Sequence, residues 1–123
     1  ASALVNLLEN SEMQELQVPH LEEAVGKSMA YFQLPIQDAD IPGPDFERSW
    51  KTAGADLRRR LRAGEKVLVH CKGGLGRTGT VAARLLVELG LDPEEAILRV
   101  RRARPGSIET RAQEDYVRRQ TPS

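Results

Sequence analysis

The stretch "VLVHCKGGLGRTGT", Val67 to Thr80, decides how this chain reads. An apolar run meets the only cysteine, glycines stand at 73, 74, 76 and 79, and Arg77 opens a helical pattern. "KVLVH" (Lys66–His70) is the clearest strand signal in the sequence and is expected at the centre of a sheet. "TVAARLLVELG", directly after the glycines, has the spacing of an amphipathic helix closed by Gly90. A strand, a glycine-rich turn and a helix in that order bring backbone N–H groups together at a helix N-terminus, which attracts an anion.

Outward from this unit the chain alternates strands and helices. That pattern is expected of an α/β fold with a central, mostly parallel sheet flanked by helices. "ALVNLL" (Ala3–Leu8) and "YFQLPI" (Tyr31–Ile36) read as buried strands, "SEMQEL" and "HLEEAVGKSM" as short helices. A longer helix is expected from Pro44 through "DFERSWKTAGADLRRRLRA" to Gly64, with Gly54 a weak point inside it. Asp92 and Pro93 supply N-cap and first-turn signals for "LDPEEAILRVRRAR". Thr110 and Gln113 have capping-box spacing at the head of "TRAQEDYVRR".

A chain of 123 residues fits one domain, 1–123. Its apolar runs fall well short of the roughly 20 residues of a membrane span, so a membrane partner is not expected. A single cysteine excludes an internal disulfide and, with only two histidines, a cysteine-rich zinc site; it points to a reducing compartment, the cytoplasm. Charge is balanced overall but uneven: residues 1–56 hold 10 acids and 3 bases, residues 57–123 hold 8 and 15. The plain reading is two solvated faces. The sharper one is a positive field that steers phosphate-bearing substrates. Nucleic acid is disfavoured, because the aromatic residues that stack on bases are few.

Three readings compete for the glycine loop. Gly74-x-Gly76-x-x-Gly79 matches the dinucleotide fingerprint, but no second strand ending in an acid follows it, and no Gly-Lys-[Ser/Thr] completes a Walker loop. A lone cysteine is commonly a small buried hydrophobe. Here, however, Cys71 stands where a strand ends, before glycines whose backbone can curl with its amides inward. The field of such a nest favours a thiolate, and Arg77 adds a planar fork for two phosphate oxygens.

"HCKGGLGRT" resembles the His-Cys-x5-Arg-[Ser/Thr] signature of the cysteine-based protein tyrosine and dual-specificity phosphatases, and within them the compact dual-specificity branch. The resemblance covers about Ala3 to Arg119. It implies that Cys71 is the nucleophile and that Lys72, Gly73, Gly74, Leu75, Gly76 and Arg77 bind the phosphate. It further implies that Thr78 helps the thiolate leave and that His70 packs behind the loop and tunes the cysteine. No metal or cofactor is implied. The family's general acid lies in an Asp-x-x-x-Pro loop, which Asp38 and Pro42 match; Asp40 is the rival, and Asp45 suits a helix N-terminus better. "SIETRAQEDYV" is similar to the family's Ile-Gln-Thr-x-x-Gln loop. Gln113 matches its second glutamine, but Glu109 stands where the first, water-orienting one would be, and an acid there either repels phosphate or shares the base role.

The implied activity is metal-independent hydrolysis of phosphotyrosine, with phosphoserine and phosphothreonine left open, through a phosphocysteine. Leu75 stands inside the loop where a second lysine would mark an inositol-phosphate enzyme, which favours a phosphoprotein partner. An inositol-phosphate or lipid phosphatase and a non-catalytic phosphate binder are the alternatives. The resemblance implies a strand–helix segment before this point, which is expected to be lacking here. A sheet edge is therefore expected to be exposed, or paired in self-association.

Overall fold

In a computed structural model, which describes residues 3–9, 11, 29–37, 40–71 and 76–123, three short strands make one parallel sheet. They are β1 (Ala3–Asn6), β2 (Ala30–Gln33) and β3 (Val67–His70), in the order β2-β1-β3. Among the described residues the middle strand is thus β1, not the "KVLVH" strand that the sequence favoured. Burial gives the reason. Every residue of β1 is buried, whereas β3 alternates between half-buried and exposed, with Leu68 52% exposed. An apolar run announces a strand but does not say how many neighbours it has.

Register sets the geometry of the site. Asn6 pairs with both Gln33 and His70, so the three strands end level with one another. Pairing continues past the ends, where Leu7 N–H donates to the His70 carbonyl at 2.9 Å, Leu34 N–H to Asn6 at 2.9 Å and Ile36 N–H to Leu7 at 3.0 Å. The loop after β2 and the cysteine after β3 therefore leave the sheet on the same edge, as ligand-binding loops of parallel sheets do.

Four helices follow among the described residues: α1 (Pro44–Arg62), α2 (Gly76–Glu88), α3 (Pro93–Ala103) and α4 (Arg111–Arg118). The sequence signals hold at their ends. Pro44 opens α1 and left-handed Gly64 (φ 82°) follows it. Asp92 accepts the Glu94 N–H at 3.1 Å, and both halves of the Thr110–Gln113 capping box form. Gly54 serves packing, because a Cβ there would stand 2.6 Å from Trp50 Nε1. The helices expected in "SEMQEL" and "HLEEAVGKSM" fall almost wholly outside the described residues.

Helix α2 belongs to both apolar clusters. Val81 and Leu85 pack with Val5, Phe46, Trp50 and Leu57 against the sheet, and Ala83 and Val87 pack with Ile97, Ile108, Tyr116 and Val117 on the other side. Between the clusters lies a charged network. Glu88, 5% exposed, accepts from Trp50 Nε1 at 3.0 Å, Arg58 Nη1 at 2.8 Å and Arg84 Nε at 3.0 Å. Arg84 Nη1 also donates to Glu47 at 2.7 Å and to the Tyr116 oxygen, while the Tyr116 hydroxyl donates to Glu47 at 2.6 Å. The Arg84 guanidinium sits 4.9 Å from the Trp50 ring centroid, a cation–π contact. Burial opposes the Arg84 charge, yet the hydrogen bond to Glu47 and the other partners hold its pKa above the usual arginine value. Burial, reinforced by Glu47, pushes the Tyr116 phenol well up, with Arg84 pulling the other way.

Candidate active site

Cys71 directly follows β3 and is 4% exposed. Thr78, in the first turn of α2, donates its hydroxyl to Cys71 Sγ at 2.9 Å. The first turn of α2 contains no acid of its own. Arg77 is buried, and its Nη1 donates to the Ile36 carbonyl at 3.0 Å, which links α2 to the loop after β2. That loop carries the expected acid. Asp38 itself, and the phosphate-loop residues Lys72, Gly73, Gly74 and Leu75, lie outside the described residues. His70 ends β3 with its side chain exposed.

The other two acids named for this loop both make local contacts. Asp40 Oδ1 accepts the Ile41 N–H at 2.7 Å, and the Asp40 N–H donates to Gln37 at 3.0 Å, so this carboxylate shapes its own turn. Asp45 lies in the first turn of α1 and pairs with Arg48 on the surface, as an N-terminal helix acid does.

A third segment, Ser107–Thr110, reaches the start of α2. Ile108 is buried in the left-handed region at φ 60°, which costs a β-branched residue about 1–3 kcal/mol. Arg101 braces it, donating from Nε to the Ser107 carbonyl at 3.0 Å and from Nη2 to the Ile108 carbonyl at 2.9 Å, with Nη1 on Glu114 at 3.1 Å. Two glycines of α2 admit the turn. A Cβ on Gly79 would stand 2.9 Å from Ser107 Cβ and 3.1 Å from Ile108 N, and one on Gly76 would overlap Glu109 Oε1. The Glu109 carboxylate thus rests against the first residue of α2. Gln113, fully buried, accepts the N–H groups of Glu109 at 2.8 Å and Thr110 at 3.1 Å, and its Nε2 donates to the Asp40 carbonyl at 3.1 Å.

The structure therefore brings Cys71, Gly76, Arg77, Thr78, Glu109 and Gln113 to one end of α2. The capping role of Gln113 was legible from its spacing to Thr110, but its tie to the Asp40 loop was not. Arg101 and Ile108 went unread as well, since an isoleucine beside Gly106 gives no sign of left-handed backbone.

A thiol receiving a hydroxyl hydrogen bond at the start of a helix, beside a buried arginine, is a site for handling phosphoryl groups. Comparison with known proteins makes the class definite. Residues 3–117 match the model of the "Swiss Army Knife protein, DSP-PTPase phosphatase domain", and the chain belongs to this dual-specificity and protein tyrosine phosphatase family. It is 34% identical over 110 residues to cyclin-dependent kinase inhibitor 3 of Rattus norvegicus, covering 86% of this chain and 50% of that protein. It is 43% identical over 88 residues to tyrosine-protein phosphatase CDC14 of Candida albicans, covering 71% of this chain and 16% of that protein. The chain thus spans half or less of the length of these two curated relatives. Among solved structures, a kinase associated phosphatase with its catalytic cysteine replaced by serine matches with a TM-score of 0.83 at 30% identity, over 94% of this chain and 66% of that one. Tk-PTP in its active form matches with a TM-score of 0.75 at 36% identity, over 94% and 75%. Among the described residues no helix is long and apolar enough to cross a membrane.

Proposed function

We propose that this chain is a metal-independent protein phosphatase that hydrolyses phosphotyrosine, and phosphoserine or phosphothreonine where the pocket admits them, through a phosphocysteine. The observation that carries this reading is the 2.9 Å hydrogen bond from Thr78 Oγ1 to Cys71 Sγ, at the start of α2 and beside buried Arg77. In the first step Cys71 Sγ bonds to phosphorus while the P–O bond of the ester breaks, and Asp38 gives its proton to the departing oxygen. Arg77 and the amides of residues 72–76 hold the equatorial oxygens, and Lys72 adds a positive charge next to the cysteine in sequence. In the second step water bonds to phosphorus, the S–P bond breaks, and its electron pair returns to Sγ, where the Thr78 hydroxyl meets it. Asp38 takes the proton of the water, and inorganic phosphate leaves.

Phosphoprotein is the substrate class we favour, because Leu75 leaves Lys72 as the only lysine inside the loop. A reducing compartment such as the cytoplasm would keep Cys71 in its working state. Among the described residues no strand pairs with the outer edge of β3, where Leu68 is exposed beside a recess of about 330 Å³ that it lines with Leu4, Val69 and His70. Pairing of two copies along this edge is part of the proposal, and light scattering that shows a monomer at every concentration would remove it.

The decisive assay is release of nitrophenol from para-nitrophenyl phosphate with EDTA present. Turnover that Cys71→Ser abolishes, and that Asp38→Asn lowers far more than Asp40→Asn, is the expected result. Phosphate binding without turnover would make the chain a non-catalytic binder. Preference for soluble inositol phosphates over phosphopeptides would overturn the substrate class.

A further inference from the structure

We propose that Arg101 is a positioning residue for the hydrolytic half of the reaction, acting through Glu109; the inference rests on the phosphocysteine reading above. Arg101 lies on α3 and does not itself reach Cys71 among the contacts of the site. What it holds is the turn that ends at the first residue of α2.

The turn is costly to keep. Buried Ile108 occupies the left-handed region, where a branched side chain crowds its own backbone. An isoleucine released from outside contacts would return to negative φ. The Arg101 fork prevents this by donating to two successive carbonyls, of Ser107 and Ile108, at 3.0 and 2.9 Å. Its third contact, to Glu114 on α4, fixes the fork in place. Directly beyond the braced residue, Glu109 lays its carboxylate on Gly76, where any side chain would collide with it.

A carboxylate at that point has one constructive use. It accepts hydrogen bonds and donates none, so it can aim a water at phosphorus while the S–P bond breaks and the proton passes to Asp38. The same charge set slightly closer would repel the oxygens of the phosphoryl group. Position therefore decides whether Glu109 helps or hinders, and position is what Arg101 supplies.

The test measures kcat with para-nitrophenyl phosphate together with the fraction of Cys71 carrying a phosphoryl group, read by intact mass after acid quenching during steady turnover. In Arg101→Ala, kcat is expected to fall about tenfold to a hundredfold, and the phosphorylated fraction to rise, because only the second step slows. In a Glu109→Ala background the same substitution is expected to add less than about twofold, since the carboxylate it positions is gone. Arg101→Lys keeps a charge facing Glu114 but cannot serve both carbonyls, so it is expected to raise the fraction too, and it covers the case in which the alanine variant does not fold. An unchanged kcat in Arg101→Ala would overturn the inference. So would a fall in kcat with no rise in phosphorylated Cys71, or an undiminished effect in the Glu109→Ala background. A Cys71→Ser variant that still turns over, with no phosphoryl group on Cys71 in any variant, would instead overturn the phosphocysteine reading itself.

Discussion

At its C-terminal end, α2 carries Glu88 and Arg84, two buried charges whose partners are one another, Trp50, Arg58, Glu47 and the Tyr116 hydroxyl. At its N-terminal end the same helix meets a left-handed isoleucine, two glycines pressed by a neighbouring turn, and a carboxylate resting on Gly76. The first end uses charge to stitch three helices together. The second bends the chain to bring a carboxylate onto the first residue of the helix. Buried charge alone therefore does not mark a functional site; a backbone held away from its relaxed state, at the helix end whose Thr78 bonds Cys71, is the better sign.

Four substitutions test that contrast, in order of expected effect. Glu88→Ala strands the Arg58 and Arg84 guanidinium groups and the Trp50 N–H, and is expected to cost about 3–5 kcal/mol in urea unfolding. The kcat of the folded enzyme should stay within about twofold, since the site lies at the other end of the helix; a tenfold loss would erase the distinction between the two ends. Gly79→Ala sets a Cβ against Ser107 and the Ile108 nitrogen. It is expected to cost about 1–3 kcal/mol by overpacking and, unlike Glu88→Ala, to lower kcat by displacing Glu109. Thr78→Val removes the hydroxyl from Cys71 Sγ, with an expected loss in kcat of about tenfold, or ~1.4 kcal/mol, at nearly constant KM and unchanged stability.

Tyr116→Phe is the mildest, about 1 kcal/mol for the lost hydrogen bond, and it has a signature in pH. Above the ordinary tyrosine value of about 10, the unfolded chain gives up the phenol proton while the folded chain keeps it, because burial raises the folded pKa. The unfolded state then binds fewer protons, so stability holds below that pH and declines above it. Chemical unfolding across alkaline pH should show the decline in the wild type. The phenylalanine variant should lack the part due to Tyr116.

Local signals in the sequence translated well into structure. The strand before Cys71, the helix after the glycines, the Asp92 cap and the Thr110–Gln113 box each depend on residues a few positions apart, so a short window contains their cause. The position of β3 at the sheet's side does not, because Val67–His70 would look the same with one neighbour or two. The Arg84–Glu88 network was hidden for a related reason. Charges four apart on a helix normally describe a solvated face, and only the approach of Trp50 and Tyr116 makes this one interior. Cys71, Arg77 and Thr78 were legible because their chemistry is packed into eight residues. The bracing of Ile108 by Arg101 depends on a backbone angle that an isoleucine does nothing to advertise.

The level ends of the three strands have a further consequence. Asn6, Gln33 and His70 are tied side by side by hydrogen bonds of the sheet, and those bonds involve no loop side chain. The anchor points of the loops are accordingly independent of what the loops contain. Such a rim behaves as a fixed socket, in which the segment after β2 could be lengthened, shortened or exchanged while Cys71 keeps its place. Diversity can then accumulate in one loop without disturbing the cysteine delivered by the other.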